Sequence, residues 1–234
     1  MFAFRESHDL DPDPADGGAR VEVAFTDASL DVQEGDRIGG VLDELGSALD
    51  VVIARASQVH GDDVVTIGGE GDEEGGRVPV ADGLVTVRRR TALMVRVADC
   101  VPVLLADAAA GVVGVAHAGR RGVELDVVTR TVERMRALGG ADIHAWIGPH
   151  ICGGCYEVPA GMRDEVAAVV PETYAETTWG TPSLDLGAGV AAQLAAADVA
   201  VTVVGGCTLE DARFHSYRRD GQESGRLAGL VWLS

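Results

Sequence analysis

Two histidines and one cysteine occupy positions from which they could do chemistry. Cys100 separates the apolar runs 92–98 and 101–106, and His117 follows a third, 112–116. Short Val- and Leu-rich runs bounded by turn residues predict buried strands rather than helices. Strand ends on a rigid sheet can deliver both side chains to one place. A third candidate, His60, lies in Gln58-Val59-His60-Gly61 at the end of another apolar run. Two His and one Cys form a zinc ligand set that leaves a fourth position open, as catalytic zinc sites do. The same residues also read as a small core thiol and a turn histidine, because no H-x-x-x-H or C-x-x-C pairing links them.

The elements that must position these groups follow from periodicity. Residues 2–5, 21–25, 51–54, 64–67, 143–147, 201–204 and 227–233 read as further strands. Ile38, Val41, Leu42, Leu45 and Leu49 recur at helical spacing, with Asp36 placed to cap the start. Residues 122–138 make one long amphipathic helix, with Val128, Val132, Met135 and Leu138 on one face and Gly139-Gly140 as the stop. Its N-terminus follows the His117 turn, so its free N–H groups are expected near the site. Residues 163–170 and 187–197 are two more helices, the second capped by Asp185. The Asp-, Pro- and Gly-rich stretch 8–18, the Gly- and Glu-rich stretch 68–76 and the basic stretch 214–226 read as loops. Strands and helices alternate irregularly, without repeat or linker. The expectation is one α/β (α+β) domain over 1–234 with mixed sheets.

Bulk properties narrow the function classes. The net charge is −18, which argues against nucleic-acid and anionic-membrane binding, since both require a basic face. Only 4% of residues are aromatic, so the core is built from Val, Leu, Ala and Ile. The N-terminal residues do not read as a secretory leader, and no apolar run reaches the about 20 residues needed to span a bilayer. A cytoplasmic protein with reduced thiols at positions 100, 152, 155 and 207 is expected. Cys152 and Cys155 form a C-x-x-C, but no second C-x-x-C accompanies it, and the reading is structural thiols rather than a redox pair. His150 is a possible site residue.

Six blocks in order, QVHG (58–61), ADGLVT (81–86), ADCVPVLLAD (98–107), AHAGRRG (116–122), IGP with CYEV (147–158) and SYRRDGQESGR (216–226), resemble the YfiH-type laccase-domain family. Its members are also called polyphenol oxidases and purine nucleoside phosphorylases. The resemblance implies a layered sandwich of two mixed sheets with helices outside. It implies that His60, Cys100 and His117 bind Zn2+, with copper the lesser candidate. It implies phosphorolysis of adenosine, inosine, guanosine and methylthioadenosine, with adenosine deamination as a side activity. Purine nucleosides and phosphate are then the partners. Gln58, Arg121, Arg218 and Arg219 become the substrate and phosphate candidates, since a guanidinium forks onto phosphate. With Cys100, the carboxylates Asp99 and Glu157 are the catalytic candidates, the carboxylates for proton transfer. Asp82 is expected beside the site, and Cys207-Thr208 as packing. The chain departs from the family in carrying Arg120 where a Trp is usual, and in lacking a Gly-rich, Asn-Leu stretch near 26–30.

Three other readings compete. A copper-dependent phenol oxidase needs many His in H-x-H pairs, and the chain has six His with none so paired. A Cys100 nucleophile with His117 as base would make a hydrolase. An accessory role in peptidoglycan editing or cell division is the third. The H-x-E…P-C-x-x-C signature of zinc deaminases is absent.

Overall fold

The computed structural model describes residues 1–9, 20–68 and 78–234. Most of the stretches 8–18 and 68–76, expected as loops, lie outside the described residues. The elements in chain order are β1 (Phe2–Asp9), β2 (Arg20–Thr26), α1 (Ile38–Leu49), β3 (Val52–Arg55), β4 (Val64–Thr66), β5 (Gly83–Thr86), β6 (Thr91–Val97), β7 (Val101–Asp107) and β8 (Val112–Ala118). There follow α2 (Arg120–Glu124), α3 (Val127–Ala137), β9 (His144–Ile147), α4 (Ala160–Val169), β10 (Tyr174–Glu176), β11 (Pro182–Leu184), α5 (Leu186–Ala196), β12 (Ala200–Val203), α6 (Tyr217–Asp220) and β13 (Leu227–Leu233). No helix among the described residues is long and apolar enough to cross a membrane.

Two mixed sheets stack face to face. The first has the order β1-β2-β13-β6-β3 and the second β12-β9-β7-β8-β5-β4, each with parallel and antiparallel pairs. Side chains alternate across a strand, so each central strand feeds two cores. Leu93, Val95 and Val97 of β6 and Val231 and Leu233 of β13 meet Leu104, Val113, Val115 and Trp146 between the sheets. The alternate residues Met94, Leu230 and Trp232 pack outward against Leu45 of α1. On the far face, Val103, Leu105 and Ile147 pack under Val128, Val132 and Met135 of α3 and Val190 and Leu194 of α5. Strands covered on both faces read as continuous apolar runs, which is why β7, β8 and β13 are buried along their whole length.

Two local expectations are corrected. Asp36 does not cap α1; Arg37 holds the N-cap position, without a side-chain bond. The helix expected over 122–138 is two helices. Asp126 adopts the left-handed region (φ 61°) and its side chain accepts from Thr129 N–H, so it ends α2 and caps α3. The apolar periodicity runs through this break, because Val123 and Val127 both face the same core. Asp185 does cap α5, accepting from Ala188 N–H.

Three segments that cross from one sheet to the other gather at one end of the sandwich. They are 56–63 between β3 and β4, 98–100 between β6 and β7, and 204–226 between β12 and β13. The β7–β8 register, with Pro102 opposite His117, sets the end of β8 beside Cys100.

Candidate metal centre

His60, Cys100 and His117 come together. Their donor atoms all lie within 4.8 Å of one another. Cys100 Sγ is 3.8 Å from His60 Nε2, and the two imidazoles meet edge to face with centroids 4.7 Å apart. His117 is buried, Cys100 half-buried and His60 exposed, so the group opens to solvent on the His60 side.

Asp82 is the hub of this arrangement. It precedes β5, is 3% exposed, and its carboxylate accepts from Val59, His60 and Gly61 N–H at 3.1, 3.0 and 2.7 Å. The same carboxylate lies 2.8 Å from His117 Nδ1. His60 has φ 59°, a left-handed backbone that is uncommon outside glycine, and the three N–H bonds to Asp82 hold it there. The bond to His117 Nδ1 leaves Nε2 facing the group, the arrangement by which carboxylates orient metal-binding imidazoles. Burial pushes the Asp82 carboxyl up, but His117 and the Gly61 and Val59 N–H groups outweigh it and hold it below its ordinary value.

Cys100 and His117 polarise one another. Burial opposes charge on both, yet His117 and His60 bring the Cys100 thiol down to about 6. The Cys100 charge and Asp82 raise His117 to about 9. The two shifts favour a thiolate on Cys100 beside an imidazolium on His117. A thiolate and two imidazoles are a donor set for zinc or copper. Gly119 shapes the space under them: a Cβ there would sit 2.7 Å from His60 Cδ2 and 3.0 Å from Cys100 Sγ. The donor set and this close glycine floor fit a single bound ion.

The remaining expected residues divide by what their side chains touch. Gln58 bonds both ways to the backbone of Arg96, Nε2 to its carbonyl and Oε1 from its N–H, and so fastens the His60 loop to β6. Asp99, at φ 83°, accepts from Thr208 Oγ1 and from Arg218 N–H, each at 2.6 Å. Both of its oxygens therefore hold the 204–226 segment in place. Arg218 Nη1 donates to the Glu157 carbonyl, and its guanidinium lies 5.0 Å from the Tyr156 ring centroid. The exposed Glu157 carboxylate accepts from Trp179 Nε1. Arg219 is occupied by the carbonyls of Thr208, Leu209 and Phe214 and by Asp220. Arg121 is exposed, and its side chain has no protein partner among the described residues. Arg120 pairs with Glu124 one turn on, both carboxylate oxygens within 3.1 Å. His150 is packed against Gly187 with Nδ1 2.8 Å from the Gly148 carbonyl oxygen.

Two residues at the site were not singled out from sequence. Gly119 sits inside AHAGRRG, where the Gly could have been read as a close approach. Tyr156 sits inside CYEV. Burial raises its hydroxyl pKa, the Cys100 charge adds to this, and Arg218 and Arg120 oppose it. Tyr156, Arg218 and Arg120 thus share the electrostatic neighbourhood of Cys100.

Comparison with known proteins follows the same lines. The sequence profile of the family described as multi-copper polyphenol oxidoreductase laccase matches residues 20–234. A protein of Streptomyces griseus named purine nucleoside phosphorylase is 53% identical over 180 residues, 76% of this chain and 72% of the relative. A Mycobacterium tuberculosis protein with the same name is 46% identical over 76% of this chain and 70% of its own. The crystal structure of YfiH from Bacillus licheniformis superposes with a TM-score of 0.79 at 26% identity, covering 92% of this chain and 93% of that one. YlmD from Geobacillus stearothermophilus gives 0.79 at 28% identity over 91% of each.

Proposed function

The chain belongs to the multi-copper polyphenol oxidoreductase laccase family, and we propose that it is a zinc-dependent purine nucleoside phosphorylase working at the His60–Cys100–His117 group. The observation that carries this reading is one open three-donor group, oriented by Asp82, in a chain 53% identical to a protein of that name. The other histidines support zinc over a multi-copper centre, which needs clustered imidazoles. His8 and His144 flank Trp146, His150 faces the Gly148 carbonyl, and His215 approaches the Leu30 carbonyl.

Phosphorolysis forms a bond from a phosphate oxygen to ribose C1′ and breaks the bond from C1′ to the purine nitrogen. The electron pair leaves with the base, which takes up a proton. Zinc, when bound, supplies Lewis-acid polarisation and neutralises charge. Cys100 binds as thiolate, and Asp82 keeps His117 Nε2 directed at the group. Arg121 offers phosphate a guanidinium without a protein partner among the described residues. Tyr156 with Arg218 presents an aromatic and cationic surface on which a purine stacks; such stacking contributes about 1–3 kcal/mol per base. Asp99, Gln58 and Arg219 act as positioning residues, through Thr208 and the Arg218 backbone, through Arg96, and through the 208–214 carbonyls. Glu157 is the carboxylate left to exchange protons, once released from Trp179.

Adenosine, inosine, guanosine and methylthioadenosine are the proposed substrates. Deamination of adenosine, with water attacking C6, is proposed as a side activity. Product analysis separates these: incubate the zinc-loaded protein with adenosine, with and without phosphate. Adenine and ribose 1-phosphate that appear only with phosphate support phosphorolysis. Inosine formed equally in both would make deamination the main reaction. No product from any of the four nucleosides would overturn the reading.

A further inference from the structure

A second group of donors lies outside the centre just described. Cys152 Sγ, Cys155 Sγ, Cys207 Sγ and a Glu210 carboxylate oxygen all lie within 4.8 Å of one another. The four come from two facing turns. In the first, Cys155 and Tyr156 N–H both donate to the Cys152 carbonyl at 3.0 Å. Gly153 is required there, because a Cβ would sit 2.7 Å from the Cβ of Asp185. In the second, Asp211 N–H donates to the Cys207 carbonyl at 3.0 Å, which curls Glu210 back over Cys207. A parallel bridge between His150 and Cys207 fastens the turns together, and Cys152 N–H points at Cys207 Sγ, 3.5 Å away.

The C-x-x-C of one turn has the spacing of half a structural zinc site, and the other turn supplies a third thiolate and, in place of the usual fourth Cys or His, a carboxylate oxygen, giving four ligands and no open position. Zn–S bonds of about 2.3 Å place the sulfurs of a tetrahedral site about 3.8 Å apart, so the observed cluster needs to contract by no more than about 1 Å. A redox C-x-x-C works as a pair of sulfurs, whereas here a third sulfur, Cys207 Sγ, and a Glu210 carboxylate oxygen gather at the same point. All four cysteines of the chain are free thiols.

We propose that Cys152, Cys155, Cys207 and Glu210 form a second metal site, structural in role and suited to zinc. Thiolate ligands select zinc over magnesium or calcium. Its position gives it a purpose. The first turn leads into Tyr156, and the second contains Thr208, which holds Asp99. An ion there fastens together two segments that frame the first centre, without facing that centre itself.

The test uses the full chain, with Cys100→Ala to remove the first site. Metal-stripped Cys100→Ala is expected to take up one zinc per chain. Loaded with Co2+ instead, it is expected to show strong sulfur-to-metal charge-transfer absorption. Adding Cys207→Ser abolishes both. Because that variant could fail to fold, Glu210→Gln is the second: Glu210 is exposed, and the loss expected is about tenfold or more in zinc affinity with an unchanged circular dichroism spectrum. No zinc uptake by folded Cys100→Ala overturns the proposal, as does uptake unaltered by both substitutions. A chain two hydrogens lighter, purified without reductant, carrying a Cys152–Cys155 disulfide and unable after reduction to bind zinc in the Cys100→Ala background, overturns it too.

Discussion

Gly119→Ala isolates the first metal centre from the rest of the fold. Gly119 has φ −75° and ψ 176°, extended backbone that alanine adopts freely, so the substitution acts through space alone. The new methyl would lie 2.7 Å from His60 Cδ2 and 3.0 Å from Cys100 Sγ. Favourable carbon contacts lie at about 3.5–4.0 Å, so His60 must retreat by roughly 1 Å. Metal sites hold ligand distances to within about 0.2 Å. The retreat therefore takes His60 out of the ligand set or strains it. Overpacking of this kind costs about 1–3 kcal/mol. His60 is exposed and can swing into solvent, so the metal-free fold escapes most of that strain and the bound form carries it. The expected result is zinc affinity lower by roughly 5- to 150-fold, the equivalent of that range, with the metal-free melting temperature nearly unchanged. A competition titration against a chromophoric chelator and a melting curve read the two quantities. Wild-type affinity together with a lowered metal-free melting temperature would refute the reasoning, because Gly119 would then serve the fold and not the ligands.

Four further outcomes are expected. Between about pH 6 and 9, where Cys100 is a thiolate and His117 an imidazolium, zinc binding must expel one proton from His117; affinity should rise about tenfold per pH unit there and level off above, and a flat profile would contradict the pairing. Asp82→Ala strands four donors, each bond to a charged acceptor contributing about 1.5–3 kcal/mol; a drop of several kcal/mol in urea unfolding and a tenfold or greater loss of zinc affinity, read above pH 9 where His117 is neutral, are expected. Arg219→Ala should destabilise the chain by about 2 kcal/mol through its lost carbonyl bonds, whereas Arg121→Ala should change stability by less than about 0.5 kcal/mol and raise KM for phosphate. Arg120→Trp should leave that KM unchanged, because Glu124 already neutralises Arg120; a large rise would show that the charge reaches the phosphate.

The strands that build the centre were legible because they are covered on both faces, so β7 and β8 appear as apolar runs and β6 as one interrupted by Arg96. The break at Asp126 was hidden for the same reason in reverse: the apolar spacing continues through it, and only the backbone turn at an aspartate ends α2. The His60, Cys100 and His117 group was visible through the resemblance, since the three come from separate runs that meet through strand register and the bonds of Asp82 to the His60 loop. Side-chain wiring to backbone left no trace in the sequence. Gln58 and Arg219 read as substrate groups, and nothing in the sequence shows that the amide lies on the Arg96 backbone and the guanidinium on carbonyls of the 208–214 segment. The C-x-x-C has no companion nearby in sequence because Cys207 lies 55 residues beyond Cys152, and the β12–β9 pairing and the bridge to His150 bring it back.

The central claim is that phosphorolysis takes place at the His60–Cys100–His117 metal group. Ribose 1-phosphate formation from adenosine and phosphate, measured together with zinc content in wild type, Cys100→Ser and His117→Ala, tests it most directly. The account predicts that both substitutions lose the zinc of this group and the phosphate-dependent product together, while circular dichroism stays that of the folded chain. A folded Cys100→Ser protein that lacks this zinc yet forms ribose 1-phosphate at the wild-type rate would contradict it.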